Sequence, residues 1–387
     1  MGMAIAFDYP QTRRRKANPV QSLPALRRVY RCQCQRPVFF RNSQCLGCSA
    51  ALGYEPHLGE VFPLTIGPQP NTWRLAGFRT SHQALYRRCA NADSPAACNW
   101  LVKMDFATGA CPDFCLSCRL NRTIPDLSVP ENGVLWGRIE AAKRRVVSLL
   151  VALGLPVASR VGEDPERGLA FDLLRAPAGG PPLLTGHDDG LITLNIEEAD
   201  DARREGIREA MRENYRTVVG HFRHEAGHYY WDRLIDNTPW IEGFRLLFGD
   251  ERTDYDAALR MHYEQGPAPD WARRYVSSYA SCHPWEDWAE TWAHYLHMAD
   301  TVGTAASVGL NRDTVDMQFE LFTADALFSP GDPGAQLFLS FLNAWVELTA
   351  VLNELSRSMG QPDSYPFALP RAAVGKLQFI HMVVGSV

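Results

Sequence analysis

Five consecutive residues carry most of the chemistry in this chain: His224-Glu225-Ala226-Gly227-His228. On a helix, positions i and i+4 share a face with Cβ atoms ~5–6 Å apart, so both imidazoles can reach one Zn²⁺ with Glu225 beside them. The metal would lower the pKa of its bound water to ~7, and Glu225 would take that proton and pass it to a leaving amine. Two histidines do not complete such a site. The metzincin extension would place Gly at 231 and His at 234, but the chain has Trp231 and Leu234, so that class is excluded. The strongest source of a third ligand is the segment 284–294, where Glu286, Glu290 and His294 recur every four residues along one helical face. Trp285, Trp288 and Trp292 form the adjacent apolar stripe, and carboxylates drawn into such a surface need a partner that a metal would supply. A second acidic stretch, 249–254, with Asp250, Glu251 and Asp254, is an aspzincin-like alternative. His221 shares the face of His224 and His228 and is expected to line the pocket.

The cysteines offer different chemistry. Nine of the ten lie between Cys32 and Cys118, whereas seven of the eleven histidines lie between His221 and His297. Thiolate-rich sites usually hold structural zinc and His/carboxylate sites catalytic zinc, so the N-terminal part reads as structural and the C-terminal part as reactive. Cys32, Cys34, Cys45 and Cys48 form two close pairs suited to one tetrahedral cage, although the first pair is C-x-C instead of the usual C-x2-C. Cys89, Cys98, Cys115 and Cys118 form a second set, with Cys111 left out because its spacing overlaps the better pair 115/118. Modules this small cannot hold a core without metal. The expected complement is three zinc ions, one catalytic and two structural.

The elements that must position these groups follow from the apolar periodicity. Residues 136–153 have helical spacing, 191–196 is a short β-branched strand, and 202–212 and 215–234 are helical. Further helices are expected near 285–299, 335–358 and 371–384, separated by Gly/Pro segments at 265–269 and 330–334. The fold class is α+β, with N-terminal four-cysteine zinc-ribbon modules followed by a mainly helical, zincin-like domain with a small sheet. The expected divisions are a basic, flexible tail at 1–28, a ribbon at 29–55, a second ribbon-like module at 56–125, and the metallopeptidase domain at 130–387. The strand 191–196 is the expected edge along which an extended peptide would add.

Composition excludes other classes. With 387 residues, 46% apolar and 21% charged, the chain is neither fibrous nor extensively disordered. Its longest apolar run, 146–158, is interrupted by Ser148, Gly154 and Pro156 and is too short to cross a bilayer, so no membrane partner is expected. The N-terminus lacks the apolar stretch of a secretory signal, and a cytoplasmic location is the expectation. Residues 1–48 carry nine basic side chains (Arg13, Arg14, Arg15, Lys16, Arg27, Arg28, Arg31, Arg36 and Arg41) against Asp8 alone. Such a head could touch nucleic acid or an acidic partner, but without aromatic interleaving the preferred reading is a solvated tail.

Together with the N-terminal cysteines, the segments 120–126 (LNRTIPD), 220–231 (GHFRHEAGHYYW) and 283–295 (HPWEDWAETWAHY) resemble the bacterial zinc-binding metallopeptidases with an N-terminal zinc ribbon. The resemblance covers roughly residues 29–385. It implies a gluzincin-like domain in which His224, His228 and a downstream glutamate hold the metal. It also implies that the first carboxylate of the later pair, Glu286, is the ligand, while Glu290 hydrogen-bonds a ligand histidine and fixes its tautomer. Tyr279 lies seven residues before Glu286, where some gluzincins place a tyrosine that hydrogen-bonds the oxyanion; Tyr275 is its rival. The expected activity is hydrolysis of a peptide or isopeptide bond in a protein or peptide substrate. The alternative is a non-catalytic zinc-ribbon adaptor that binds protein or nucleic acid, and Glu225 separates the two, because an adaptor needs no base beside the metal.

Overall fold

The computed structural model describes residues 26–77, 84–105, 107–177, 179, 180, 183, 185–211, 213, 215–310 and 320–387. Most of the basic tail, including Arg13–Lys16, therefore lies outside the described residues.

The N-terminal part is built from short strands. β1 (Val29–Arg31) and β2 (Pro37–Phe39) form an antiparallel hairpin. β3 (Leu52–Glu55), β4 (Glu60–Ile66), β5 (Trp73–Leu75), β6 (Tyr86–Arg88) and β7 (Leu101–Lys103) form a five-stranded antiparallel sheet in sequence order. The expected boundary at 55/56 is overturned: it cuts the β3–β4 hairpin, where Leu52 to Glu55 pair with Pro63 to Glu60. Tyr54 and Phe40 also pack on Trp100, so the two cysteine modules share one aromatic core.

The C-terminal part is mainly helical. Its sheet has the order β10–β11–β9–β8, with β8 (Asn121–Thr123) and β9 (Ala170–Leu174) parallel, β11 (Leu191–Asn195) parallel to β9, and β10 (Gly186–Asp188) antiparallel to β11. The strand at 191–195 is thus interior, hydrogen-bonded on both sides. The expectation that it forms the open edge is wrong, because the short β10 covers it. Among the described residues the edge on that side is β10.

The helices are α1 (Pro130–Ala152), α2 (Asp201–Ala210), α3 (Val218–Leu234), α4 (Ile241–Phe248), α5 (Tyr255–Gln265), α6 (Trp271–Arg274), α7 (Pro284–Ser307), α8 (Ala335–Ser358) and α9 (Arg371–Gly385). Capping sets where the two important ones begin. The Thr217 hydroxyl accepts from the Gly220 amide at the start of α3, and His283 Nδ1 accepts from the Trp285 amide at the start of α7, where Pro284 needs no donor partner. Phe171 of β9 meets Phe222 of α3, joining sheet to helices. By length and composition, α8 is the one helix among the described residues able to cross a membrane, and half of its apolar stretch is buried, as in a core helix.

α3 and α7 cross closely because Gly227 has no side chain: a Cβ there would sit 2.8 Å from Ala289 Cα. Trp288, fully buried, donates its indole N–H to the Gly227 carbonyl at 2.9 Å, and Trp292 stacks on Tyr230. The tryptophan stripe of α7 is the surface that clamps the two helices together. A second tie runs from the N-terminus. Arg28 is buried against Asp300 of α7, which also receives Arg145 from α1 and Arg223 from α3. Leu26 is buried as well, so residues 26–28 belong to the body and not to the solvated tail expected for 1–28.

Candidate metal centre

The α3–α7 crossing sets the donors. His224 and His228 lie one turn apart on α3, and Glu286 and Glu290 one turn apart on the facing side of α7. His224 Nε2 is 3.2 Å from His228 Nε2 and 3.0 Å from Glu286 Oε2, and His228 Nε2 is 3.6 Å from Glu286 Oε1. Zinc with ligands at ~2.0–2.1 Å in tetrahedral array separates them by about 3.3 Å, so this donor set fits the ion. Glu286 Oε2 is buried yet has no hydrogen-bond partner, which is what a carboxylate oxygen reserved for a cation requires.

The surrounding groups orient these donors. Glu290 Oε1 accepts from His224 Nδ1 at 2.8 Å, leaving Nε2 free to face Glu286 and His228. Ser277 donates to the other oxygen of Glu290 at 2.6 Å, and Tyr255 donates to Glu286 Oε1 at 2.6 Å. Burial opposes charge on Glu286 and Glu290, but the imidazoles beside them hold both carboxylates below their ordinary range. Burial likewise opposes charge on His224, and the two glutamates outweigh it and raise its affinity for a proton. Glu225 is buried next to the two histidines, and burial pushes its carboxyl above the usual value. Tyr279 packs 6.1 Å from the His224 ring, its phenol pushed up by burial and by Glu286.

Several sequence candidates lie elsewhere. His221 does not join the donor group; its Nδ1 is 3.7 Å from Glu198 Oε2, and burial lowers its pKa to about 4. His294 is buried with its Nδ1 bonded to Tyr365 at 2.5 Å. Tyr275 packs under Lys376. The alternative acidic stretch is spent on arginines, Asp250 pairing with Arg252 and Glu251 with Arg245.

Residues 132–383 match the family described as "Putative zinc-binding metallo-peptidase", and residues 29–129 match a zinc-ribbon domain. The chain belongs to that metallopeptidase family. It is 41% identical over 355 residues to the uncharacterized proteins Rv2568c and MT2644 of Mycobacterium tuberculosis and Mb2598c of Mycobacterium bovis, covering 92% of this chain and 94% of each relative. No solved structure matches it.

In this chain the cysteines gather as two groups of four. In the first, Cys32 Sγ is 3.6 Å from Cys48 Sγ and Cys34 Sγ is 3.7 Å from Cys45 Sγ. In the second, Cys98 Sγ is 3.7 Å from Cys115 Sγ, and Cys89 and Cys118 complete the buried set. Tetrahedral zinc with thiolates at ~2.3 Å gives about 3.8 Å between sulfurs, so both groups fit. The C-x-C spacing is accommodated by Gln35, whose positive φ of 66° turns the first knuckle. The Gly47 amide lowers the Cys45 thiol to about 6, favouring thiolate. Cys111 stands apart, directed at the Val102 carbonyl.

The residues that sequence reasoning missed are Tyr255, Ser277 and His187. His187 sits on the edge strand β10, stacks on the His228 ring at 6.2 Å, and accepts from the Gly190 amide at 2.9 Å. A cleft of about 580 Å³ is lined by Asp189, Asp232, Asn237 and Trp285, and the Trp285 ring is 5.6 Å from His228.

Proposed function

We propose that this chain is a zinc-dependent, gluzincin-like peptidase that hydrolyses a peptide or isopeptide bond. The carrying observation is the convergence of His224 Nε2, His228 Nε2 and Glu286 beside the buried Glu225. A zinc ion held by those three residues would bring the pKa of bound water to ~7 and polarise a carbonyl. Glu225 takes a proton from the attacking water and delivers it to the leaving amine. Glu290, fixed by Ser277, holds the His224 tautomer. The Tyr279 phenol donates to the developing oxyanion, for which its protonated state suits it.

A substrate peptide adds along the outer side of β10, which pairs with no other strand among the described residues, and lies in the cleft lined by Asp189, Asp232 and Trp285. The two cysteine groups hold structural zinc, giving three ions per chain with the catalytic one, and the protein acts in the cytoplasm. The test is Glu225→Gln, which preserves shape and removes the base. Hydrolysis falls at least ~10²-fold while all three zinc ions stay bound; equal turnover removes the catalytic assignment and leaves the adaptor reading.

A further inference from the structure

We propose that Tyr255 is a positioning residue for Glu286: its phenol occupies one carboxylate oxygen and thereby turns the other toward His224. The inference rests on the reading of Glu286 as a zinc ligand and adds to it the group that aims this ligand.

The two oxygens of Glu286 have different surroundings. Oε1 accepts from the Tyr255 hydroxyl at 2.6 Å, a charge-assisted bond of the short, strong kind. Oε1 is also 3.6 Å from His228 Nε2, whereas Oε2 has no hydrogen-bond partner and is 3.0 Å from His224 Nε2. Among the described residues, no hydroxyl other than that of Tyr255 donates to Glu286. A buried glutamate with both oxygens free has rotamers and binding modes to choose between. With Oε1 taken, rotation about the last side-chain bond would break the phenol bond, and Oε2 keeps its place.

Tyr255 is itself held firmly. It is the first residue of α5, whose start is capped by Asp254 accepting from the Ala257 amide at 2.9 Å. The preceding Thr253 carbonyl is 3.2 Å from His283 Nε2 at the start of α7, and the Tyr255 ring packs edge-on against His283 at 5.2 Å. The start of α5 is thus fastened to the start of α7, one turn from Glu286. No residue of α5 is fully buried, and its first turn is tied to α7 by the phenol bond to Glu286 together with the contacts to His283.

Tyr255→Phe removes the hydroxyl and keeps the ring contacts. Zinc affinity of the full-length protein is measured by competition with a chromophoric chelator, alongside Glu286→Gln, and turnover is measured at saturating zinc. Losses of metal affinity on removing such outer partners are typically ~10–100-fold. Tyr255→Phe is expected to weaken the third zinc by that factor, to leave the four-cysteine zinc ions in place, and to keep kcat within a few-fold once zinc is saturating. A shift in the visible bands of the cobalt-substituted variant accompanies it. Zinc affinity within two-fold of the parent overturns the proposal, and so does a collapse of kcat at saturating zinc, which would mean that Tyr255 acts on substrate. If Glu286→Gln keeps the third zinc, the metal-centre reading itself fails. If Glu286→Gln loses it while Tyr255→Phe behaves as the parent, only the present inference fails.

Discussion

Gly227 is neither a donor nor a proposed base, yet Gly227→Ala should disable the centre. The added Cβ would lie 2.8 Å from Ala289 Cα, 3.2 Å from its carbonyl oxygen and 3.3 Å from its Cβ. Ordinary carbon contacts are ~3.5–4.0 Å, so α3 and α7 must part by about 1 Å. Overpacking of this kind costs roughly 1–3 kcal/mol. The functional cost is larger, because His224 and His228 ride on one helix and Glu286 on the other, and ligand distances tolerate only about 0.2 Å. A misplacement of about 1 Å is worth ~10²-fold in a positioned reaction. Zinc competition and thermal unfolding of Gly227→Ala measure both effects. Adding Ala289→Gly should not restore the site, since it removes only the longest of the three contacts. A Gly227→Ala protein with parental zinc affinity and parental unfolding temperature would refute the reasoning.

Two further outcomes concern stability. Asp300 is buried among Arg28, Arg145 and Arg223; burial opposes its charge, but the three guanidinium groups outweigh it and hold the carboxyl well below its usual range. Asp300→Asn strands two buried arginines and should cost roughly 3–5 kcal/mol in urea unfolding; a loss under about 1 kcal/mol would contradict this. Since the folded pKa is depressed, the parent keeps this stabilisation above the unfolded value of ~3.9 and loses it as pH falls toward the folded value, a decline that the variant lacks. Cys115→Ser should reduce the zinc content from three to two, measured by elemental analysis, and lower the unfolding temperature, because Cys118 of the same group lies 3.9 Å from the buried Glu140 of α1. Three zinc ions in that variant would remove the second group as a metal site.

Much of the arrangement was legible because it is periodic. The i, i+4 spacing of His224 and His228 and of Glu286 and Glu290, the tryptophan stripe and the close cysteine pairs all follow from local geometry, and the structure brings these groups together. What escaped depends on contacts between distant segments. Tyr255 and Ser277 reach the glutamates from a helix start and a loop with no pattern of their own. In the sequence Arg28 is one more charge in a basic head, and only the fold sets Asp300 of α7 beside it. The β11 strand was recognisable as a strand, but its neighbours were not, since the three-residue β10 that covers it is too short to signal itself. Gly227 occupied a free position of the motif, and only the approach of Ala289 shows why it is glycine.

One divalent ion shared between α3 and α7 should be visible in an anomalous-difference map collected on both sides of the zinc edge. Three peaks are expected, one within ~2.1 Å of His224 Nε2, His228 Nε2 and a Glu286 oxygen, and one inside each four-cysteine group. Peaks in the cysteine groups alone, with none between the two helices from zinc-replete protein, would contradict this expectation.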